Sequence, residues 1–234
     1  MKLIFTCEHG GNIIPSEYLK YFNNAQSPLN SHRGLDYGAI DLFNYCKELS
    51  DYSKSNSVSR LLIELNRSIN NPKLFSEFSK ILKPSEKEKL INEIYLPYRN
   101  EVENVINAEI KEGEEVVHIS FHSFTPELDG KHRNTDIGLL YDPSRTSEKK
   151  ISKNLKQLLK EELPKLKVRY NYPYLGKADG FTTALRKKFP NHYSGIELEI
   201  NQKYSSNNSM NSNLKKSFYN SLSLLELKNN KPLN

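Results

Sequence analysis

Two histidines in this chain stand where a sheet would deliver metal ligands. Cys7-Glu8-His9-Gly10-Gly11-Asn12 follows directly on the apolar run Lys2-Leu3-Ile4-Phe5-Thr6, and His122-Ser123 closes the run Val116 to Phe121. Open α/β sheets bind ligands in the crevice beyond the carboxyl ends of their strands. The glycines after His9 let backbone or substrate approach with no Cβ in the way. Two imidazoles at two such strand ends predict a single divalent metal site. The third ligand should be a carboxylate, because three protein ligands and a water are the set with which zinc makes a nucleophile near neutral pH. Glu8 and Asp36 are the candidates. Asp36 lies in His32-Arg33-Gly34-Leu35-Asp36-Tyr37-Gly38-Ala39, at a loop-to-helix junction where it serves equally well as a helix cap. Glu8 alternates away from His9 on a regular strand and reaches the ion only if the chain twists out at Gly10. His118 precedes His122 by four strand residues, about 13 Å, so it packs or hydrogen-bonds instead of sharing the ion.

Other segments supply charges of the kind a hydrolytic site needs. Ser59-Arg60-Leu61-Leu62-Ile63-Glu64-Leu65-Asn66-Arg67 carries two arginines around an apolar stretch. The planar guanidinium suits a carboxylate or an oxyanion, and Arg67 after Asn66 reads as an anion clamp. In Gly195-Ile196-Glu197-Leu198-Glu199-Ile200-Asn201-Gln202 two glutamates share one face of an apolar strand. A carboxylate on a buried strand is costly unless paired or functional, so one of the two is a candidate general base. His132-Arg133-Asn134-Thr135-Asp136 and the glycine-bearing Tyr174-Leu175-Gly176-Lys177-Ala178-Asp179-Gly180 read as turns or as further parts of the site. Cys7 reads as a small buried side chain, with no base spaced to activate it. No Walker loop, GxGxxG or HExxH occurs.

The elements that must position these groups alternate. Apolar runs predict strands over 2–7, 59–64, 115–121, 136–141, 166–171 and 194–200. Helical periodicity covers 36–50, 85–112, 146–162, 181–188 and 211–227. Pro84-Ser85 with Glu86 and Glu88 starts the long helix, Gly113 stops it, and Pro97 should kink or divide it. Several strands are too continuously apolar for a half-exposed sheet. The pattern predicts an α/β fold: a three-layer α/β/α sandwich with a mixed, mainly parallel sheet. One domain over all 234 residues is expected, with the polar segment 22–33 as a loop near the site and 228–234 as a frayed tail.

Net charge is +6, but much of it is lysine on a predicted helical face, at Lys149, Lys150, Lys153, Lys156 and Lys160. That pattern is a solvated surface, and no aromatics interleave with Arg and Lys as a base-stacking platform would require. No nucleic-acid partner is expected. The two cysteines, Cys7 and Cys46, lie outside any CxxC spacing, no run approaches membrane-spanning length, and the amino terminus lacks a signal-peptide pattern. A cytoplasmic enzyme with a small-molecule partner and no membrane partner is expected.

In order and number, these stretches resemble the N-formylglutamate amidohydrolase family. The resemblance is carried by Cys7 to Asn12 with Pro15, His32 to Ala39, Ser59-Arg60 through Asn66-Arg67, and Phe121-His122-Ser123-Phe124-Thr125-Pro126. It continues in Asp136-Ile137-Gly138, Gly176 to Gly180 and Glu197 to Gln202, so it spans roughly residues 1–203. It implies a zinc-carboxypeptidase-like fold and hydrolysis of an N-formyl or other N-acyl amino acid, with N-formyl-L-glutamate as reference substrate. It implies one metal ion, zinc or another transition metal, held by His9, His122 and Asp36, with Glu8 as the alternative third ligand. Glu199 would be the base and Arg60 the oxyanion partner. Asn66 and Arg67 would form the substrate-carboxylate pocket, with Ser123 and Lys177 as further substrate contacts.

Overall fold

Six strands form the central sheet of the computed structural model, which describes residues 1–229. They are β1 (Lys2–Cys7), β2 (Tyr52–Ser55), β3 (Val116–Phe124), β4 (Ile137–Leu140), β5 (Val168–Tyr170) and β6 (Tyr193–Asn201). Their spatial order is β2-β1-β3-β6-β4-β5. Neighbours from β2 to β6 are parallel, β4 is antiparallel to β6, and β5 is parallel to β4. All nine residues of β3 and all nine of β6 are buried, as expected of strands covered on both faces.

Side-chain alternation divides the core between two helical layers. Leu3, Phe5, Val117 and Ile119 face α1 (Ala39–Cys46), α4 (Thr146–Glu162) and α6 (Ser212–Asn229). Ile4, Val116 and Tyr193 pack on the other side with α2 (Pro84–Leu90), α3 (Leu96–Lys111) and α5 (Phe181–Lys188). The fold is a three-layer sandwich with a mixed, mainly parallel sheet. No helix among the described residues is long and apolar enough to cross a membrane.

The strand expected over 59–64 does not form. Leu62 and Ile63 donate their N–H groups back to the Ser59 carbonyl, and Leu61 donates to Ser59 Oγ, so the segment turns. Its apolar run reflects burial: Leu61, Leu62, Ile63 and Leu65 all sit in the core. The place beside β1 goes to Tyr52–Ser55, whose polar, half-exposed sequence carried no strand signal.

Smaller differences have local causes. The helix expected over 36–50 begins only at Ala39, after Gly38 at φ +75°, and gives way to a 3-10 turn at Lys47–Leu49. The long helix is divided as Pro97 requires, by a π turn at Ile91–Tyr95 between α2 and α3. β3 runs on to Phe124, which leaves His122 inside the strand. Helix α6 extends through Asn229, and the expected frayed tail lies from residue 230 onward outside the described residues.

Candidate active site

His9 leaves the sheet in the turn after β1, and the Asp36 backbone N–H donates to its carbonyl at 3.0 Å. The glycines after it are explained by backbone: a Cβ on Gly11 would lie 2.4 Å from the Ser57 carbonyl oxygen. Asp36 does not cap helix α1 with its side chain. Its carboxylate turns to the sheet, where Oδ2 lies 3.3 Å from His9 Nδ1, 2.9 Å from His122 Nδ1 and 3.4 Å from the Ser123 backbone nitrogen. Ligand atoms of His9, Asp36 and His122 all fall within 4.8 Å of one another, and all three residues are buried.

The far nitrogen of each imidazole meets a second carboxylate. His9 Nε2 makes a short hydrogen bond to Glu64. His122 Nε2 lies 3.2 Å from Glu8 and 2.8 Å from Ser120 Oγ. Glu8 also accepts from Ser120 Oγ at 2.5 Å and from the Tyr98 hydroxyl at 3.2 Å, which puts it behind His122 and outside the converging trio. Carboxylates at Nε2 leave the Nδ1 lone pairs aimed at the Asp36 oxygen. Three electron-rich atoms facing each other need shared positive charge. Burial works against charge on His122, yet its hydrogen bonds to Asp36 and Glu8 raise it well above the usual imidazole range. Burial likewise opposes charge on Asp36, but His9, His122 and Arg60 hold it well below the carboxylate range. Two imidazole nitrogens and a carboxylate oxygen are a donor set that a divalent transition metal fits.

Beside this trio stands Glu199, paired with His122 in the register of β3 and β6. Its Oε2 is buried without a hydrogen-bond partner among the described residues, and its pKa is pushed up to about 8, by burial first and then by the charges of Asp36 and Glu197. Glu197 is satisfied by the Thr182 hydroxyl at 2.6 Å. Both glutamates line the cavity, but the unpartnered oxygen belongs to Glu199.

Arg60 knits the loop side together. Its Nε and Nη2 lie 2.8 and 2.6 Å from Glu64 Oε2, and its Nη1 donates to Asp36 at 3.1 Å. Glu64 also accepts the Asn66 N–H at 3.0 Å. Asn66 Oδ1 takes the first N–H of α5, that of Phe181, at 2.7 Å. Arg67 makes a short hydrogen bond to the Asp179 carbonyl, whose carboxylate holds Ser68 and Asn71. The Arg67 loop and the 174–180 loop are thereby clasped, and they form one wall of a cavity of about 170 Å³ over the trio.

Of the residues singled out in the sequence, His9, Asp36, Arg60, Asn66, Arg67, His122, Ser123, Glu197 and Glu199 all line that cavity. Lys177 does not: it is exposed, and its loop contributes Tyr174, Leu175, Ala178 and Asp179 instead. His118 is locked between Thr6 Oγ1 (2.7 Å) and the Tyr193 hydroxyl (2.8 Å), and burial pushes it down to about 4. The buried Cys7 thiol is pushed well above its ordinary value, first by burial, which does not suit a nucleophile. Sequence reasoning missed Glu64 and the pairing of Glu8 with His122. The signal for Glu64 was a carboxylate among buried leucines, four residues after Arg60.

Two solved structures share the fold. A gene product from Agrobacterium tumefaciens superposes with a TM-score of 0.82 at 22% identity, over 98% of this chain and 92% of that one. The N-formylglutamate amidohydrolase from Ralstonia eutropha superposes with a TM-score of 0.67 at 18% identity, over 97% and 92%. No curated protein matches in sequence. The family model for N-formylglutamate amidohydrolase matches residues 1–205, and the chain belongs to that family of amide hydrolases.

Proposed function

We propose that this protein is a metal-dependent amidohydrolase that removes the N-formyl group, or another N-acyl group, from an amino acid, with N-formyl-L-glutamate as the reference substrate and formate and glutamate as products. The observation that carries this reading is the convergence of His9, Asp36 and His122 beside the partnerless oxygen of Glu199. His9, Asp36 and His122 would hold one divalent ion, zinc in the first instance. Such an ion supplies Lewis acidity, polarising the amide carbonyl and lowering the pKa of a coordinated water.

The side chains then have separate tasks. Glu199 takes a proton from the attacking water and returns it to the departing nitrogen. Arg60 spends three of its N–H groups on Asp36 and Glu64, and a guanidinium has five. The two that remain can meet the developing oxyanion. Arg67 binds the substrate carboxylate, with Asn66 beside it, and so turns binding away from the reacting bond into orientation. Glu64 and Glu8 fix the tautomers of the two imidazoles.

Elemental analysis of the purified protein combined with a formate-release assay tests the reading. One equivalent of metal and metal-dependent formate release from N-formyl-L-glutamate are expected. Full turnover after exhaustive chelation overturns it.

A further inference from the structure

The cavity over the trio continues past Arg60 into a second one. This outer cavity, about 400 Å³, shares Asp36, Arg60, Ser123 and Tyr174 with the first, and adds His32, Lys73 and Phe124. Neither Asn66 nor Arg67 nor either strand glutamate lines it. Arg67 therefore faces the inner cavity alone, and the outer cavity opens from it along Asp36, Arg60, Ser123 and Tyr174. This inference rests on the proposed function: a substrate with its carboxylate on Arg67 and its carbonyl at the trio must extend its acyl part past Arg60. A formyl group, a single carbon, leaves that space unused.

The outer cavity is basic. Of the carboxylates beside it, Asp36 is held by Arg60 and the imidazoles, Glu64 by Arg60 and His9, and Glu77 is paired with Arg33. Lys73 and Arg133 have no carboxylate partner among the described residues, although both are close to solvent. Arg133 is also held in place: its guanidinium lies 5.1 Å from the Tyr174 ring and 5.9 Å from that of Phe124, and it donates to the Tyr174 hydroxyl at 3.1 Å. Two of the residues lining the cavity thus hold a cation against themselves. The positive field reaches His32, which burial together with Arg133, Arg33 and Arg60 pushes below the ordinary imidazole range.

We propose that the cavity lined by His32 and Lys73, with Arg133 held against its Tyr174 and Phe124 walls, is an acyl-side anion subsite, and that the acyl groups this enzyme takes include ones longer than formyl that end in a carboxylate. A dicarboxylic acyl group meets the requirement with its distal acid, and so does the acidic side chain of an N-terminal residue in a short peptide. In both cases a carboxylate reaches Lys73 and Arg133 while the scissile carbonyl stays at the trio.

The test compares N-succinyl-L-glutamate with its neutral isostere, N-succinamoyl-L-glutamate, and L-aspartyl-L-glutamate with L-asparaginyl-L-glutamate. Each pair is measured by kcat/KM on the metal-loaded enzyme and by calorimetric binding to the metal-free protein. A charge-assisted contact is worth roughly a tenfold preference for the acid. We expect at least one pair to show that ratio in both measurements, and to lose it in the Lys73→Ala/Arg133→Ala double variant and at high salt. The pair that responds identifies the source of the carboxylate. Ratios near one for both pairs, or a ratio that survives in the double variant, overturn the subsite. If no acyl-glutamate is cleaved but charge-dependent binding persists and falls in the variant, the hydrolase reading fails and the subsite stands.

Discussion

The two halves of the site are built in different ways. His122 and Glu199 sit opposite each other on the parallel strands β3 and β6, and their spacing is set by a backbone ladder that extends for residues on either side. His9, Asp36, Arg60, Glu64, Asn66 and Arg67 come from turns and loops, and charge-assisted hydrogen bonds set their spacing: Arg60 to Asp36 and Glu64, Glu64 to His9 and the Asn66 backbone. Strand residues are placed by the fold, whereas loop residues are placed by one another. The loop half should therefore be the fragile one, because removing one charge loosens several neighbours.

The largest expected effects come from the strand half, where chemistry is removed without loosening the scaffold. His122→Ala should abolish metal binding and turnover together, read by metal content and formate release. Glu199→Gln should keep the metal and lower kcat by roughly 10²–10⁴-fold, the usual contribution of a positioned general base. A Glu199→Gln enzyme with ordinary kcat would transfer the base to Glu197, which lines the same cavity.

The carboxylates behind the two imidazoles compare the halves directly. Glu64 holds His9, Arg60 and the Asn66 N–H, whereas Glu8 stands behind a ring already fixed by its strand. Loss of such a partner typically costs about 10–100-fold in metal affinity. Glu64→Gln should fall near the upper end of that range and Glu8→Gln near the lower, measured by competition with a metal-binding dye. The reverse order would mean that the strand does not fix His122 as described. Arg67→Ala should act more mildly, raising KM by about tenfold with little change in kcat. Among the described residues its charge-assisted bond is to a neutral carbonyl, so no carboxylate there is left unpaired.

The same division governs what was legible in the sequence. Apolar runs announced five of the six strands, and with them His122 and the Glu197–Glu199 pair. Helices over 146–162 and 181–188 were read with their observed bounds. The loop half was legible only as residue types in order, through a resemblance, because no periodicity says where a turn will point a side chain. The segment 59–67 shows why. Four buried aliphatics resemble a strand, but the chain turns at Ser59 to bring Arg60 onto Asp36 and Glu64 onto His9. β2 failed in the opposite sense, since its pairing rests on backbone hydrogen bonds that its polar side chains do not advertise.

In one expected effect, on stability and not on activity, the halves have opposite signs. In the metal-free protein, the loop carboxylates Asp36 and Glu64 are held below their ordinary values, burial being outweighed by His9, Arg60 and, for Asp36, His122. A depressed carboxylate contributes stability that is present above its unfolded value and is lost as pH falls through the folded one. Glu199 is raised from 4.5 to about 8, so the folded state keeps a proton that the unfolded chain has released across that interval, and stability falls as pH rises through it. His118, held down at about 4 against an ordinary 6.5, offsets this fall below 6.5, and the raised His122 adds to it above. Denaturant unfolding of the metal-free protein should therefore show stability climbing out of acid and declining from about pH 6.5 toward pH 8, by on the order of a few kcal/mol. Glu199→Gln should reduce the decline to the part that belongs to His122 and leave the acid limb in place, while Glu64→Gln should shrink the acid limb and leave the decline. A decline unchanged in Glu199→Gln would assign the whole alkaline titration to His122 and remove the distinction between a strand that fixes an uncharged acid and loops that require charged ones.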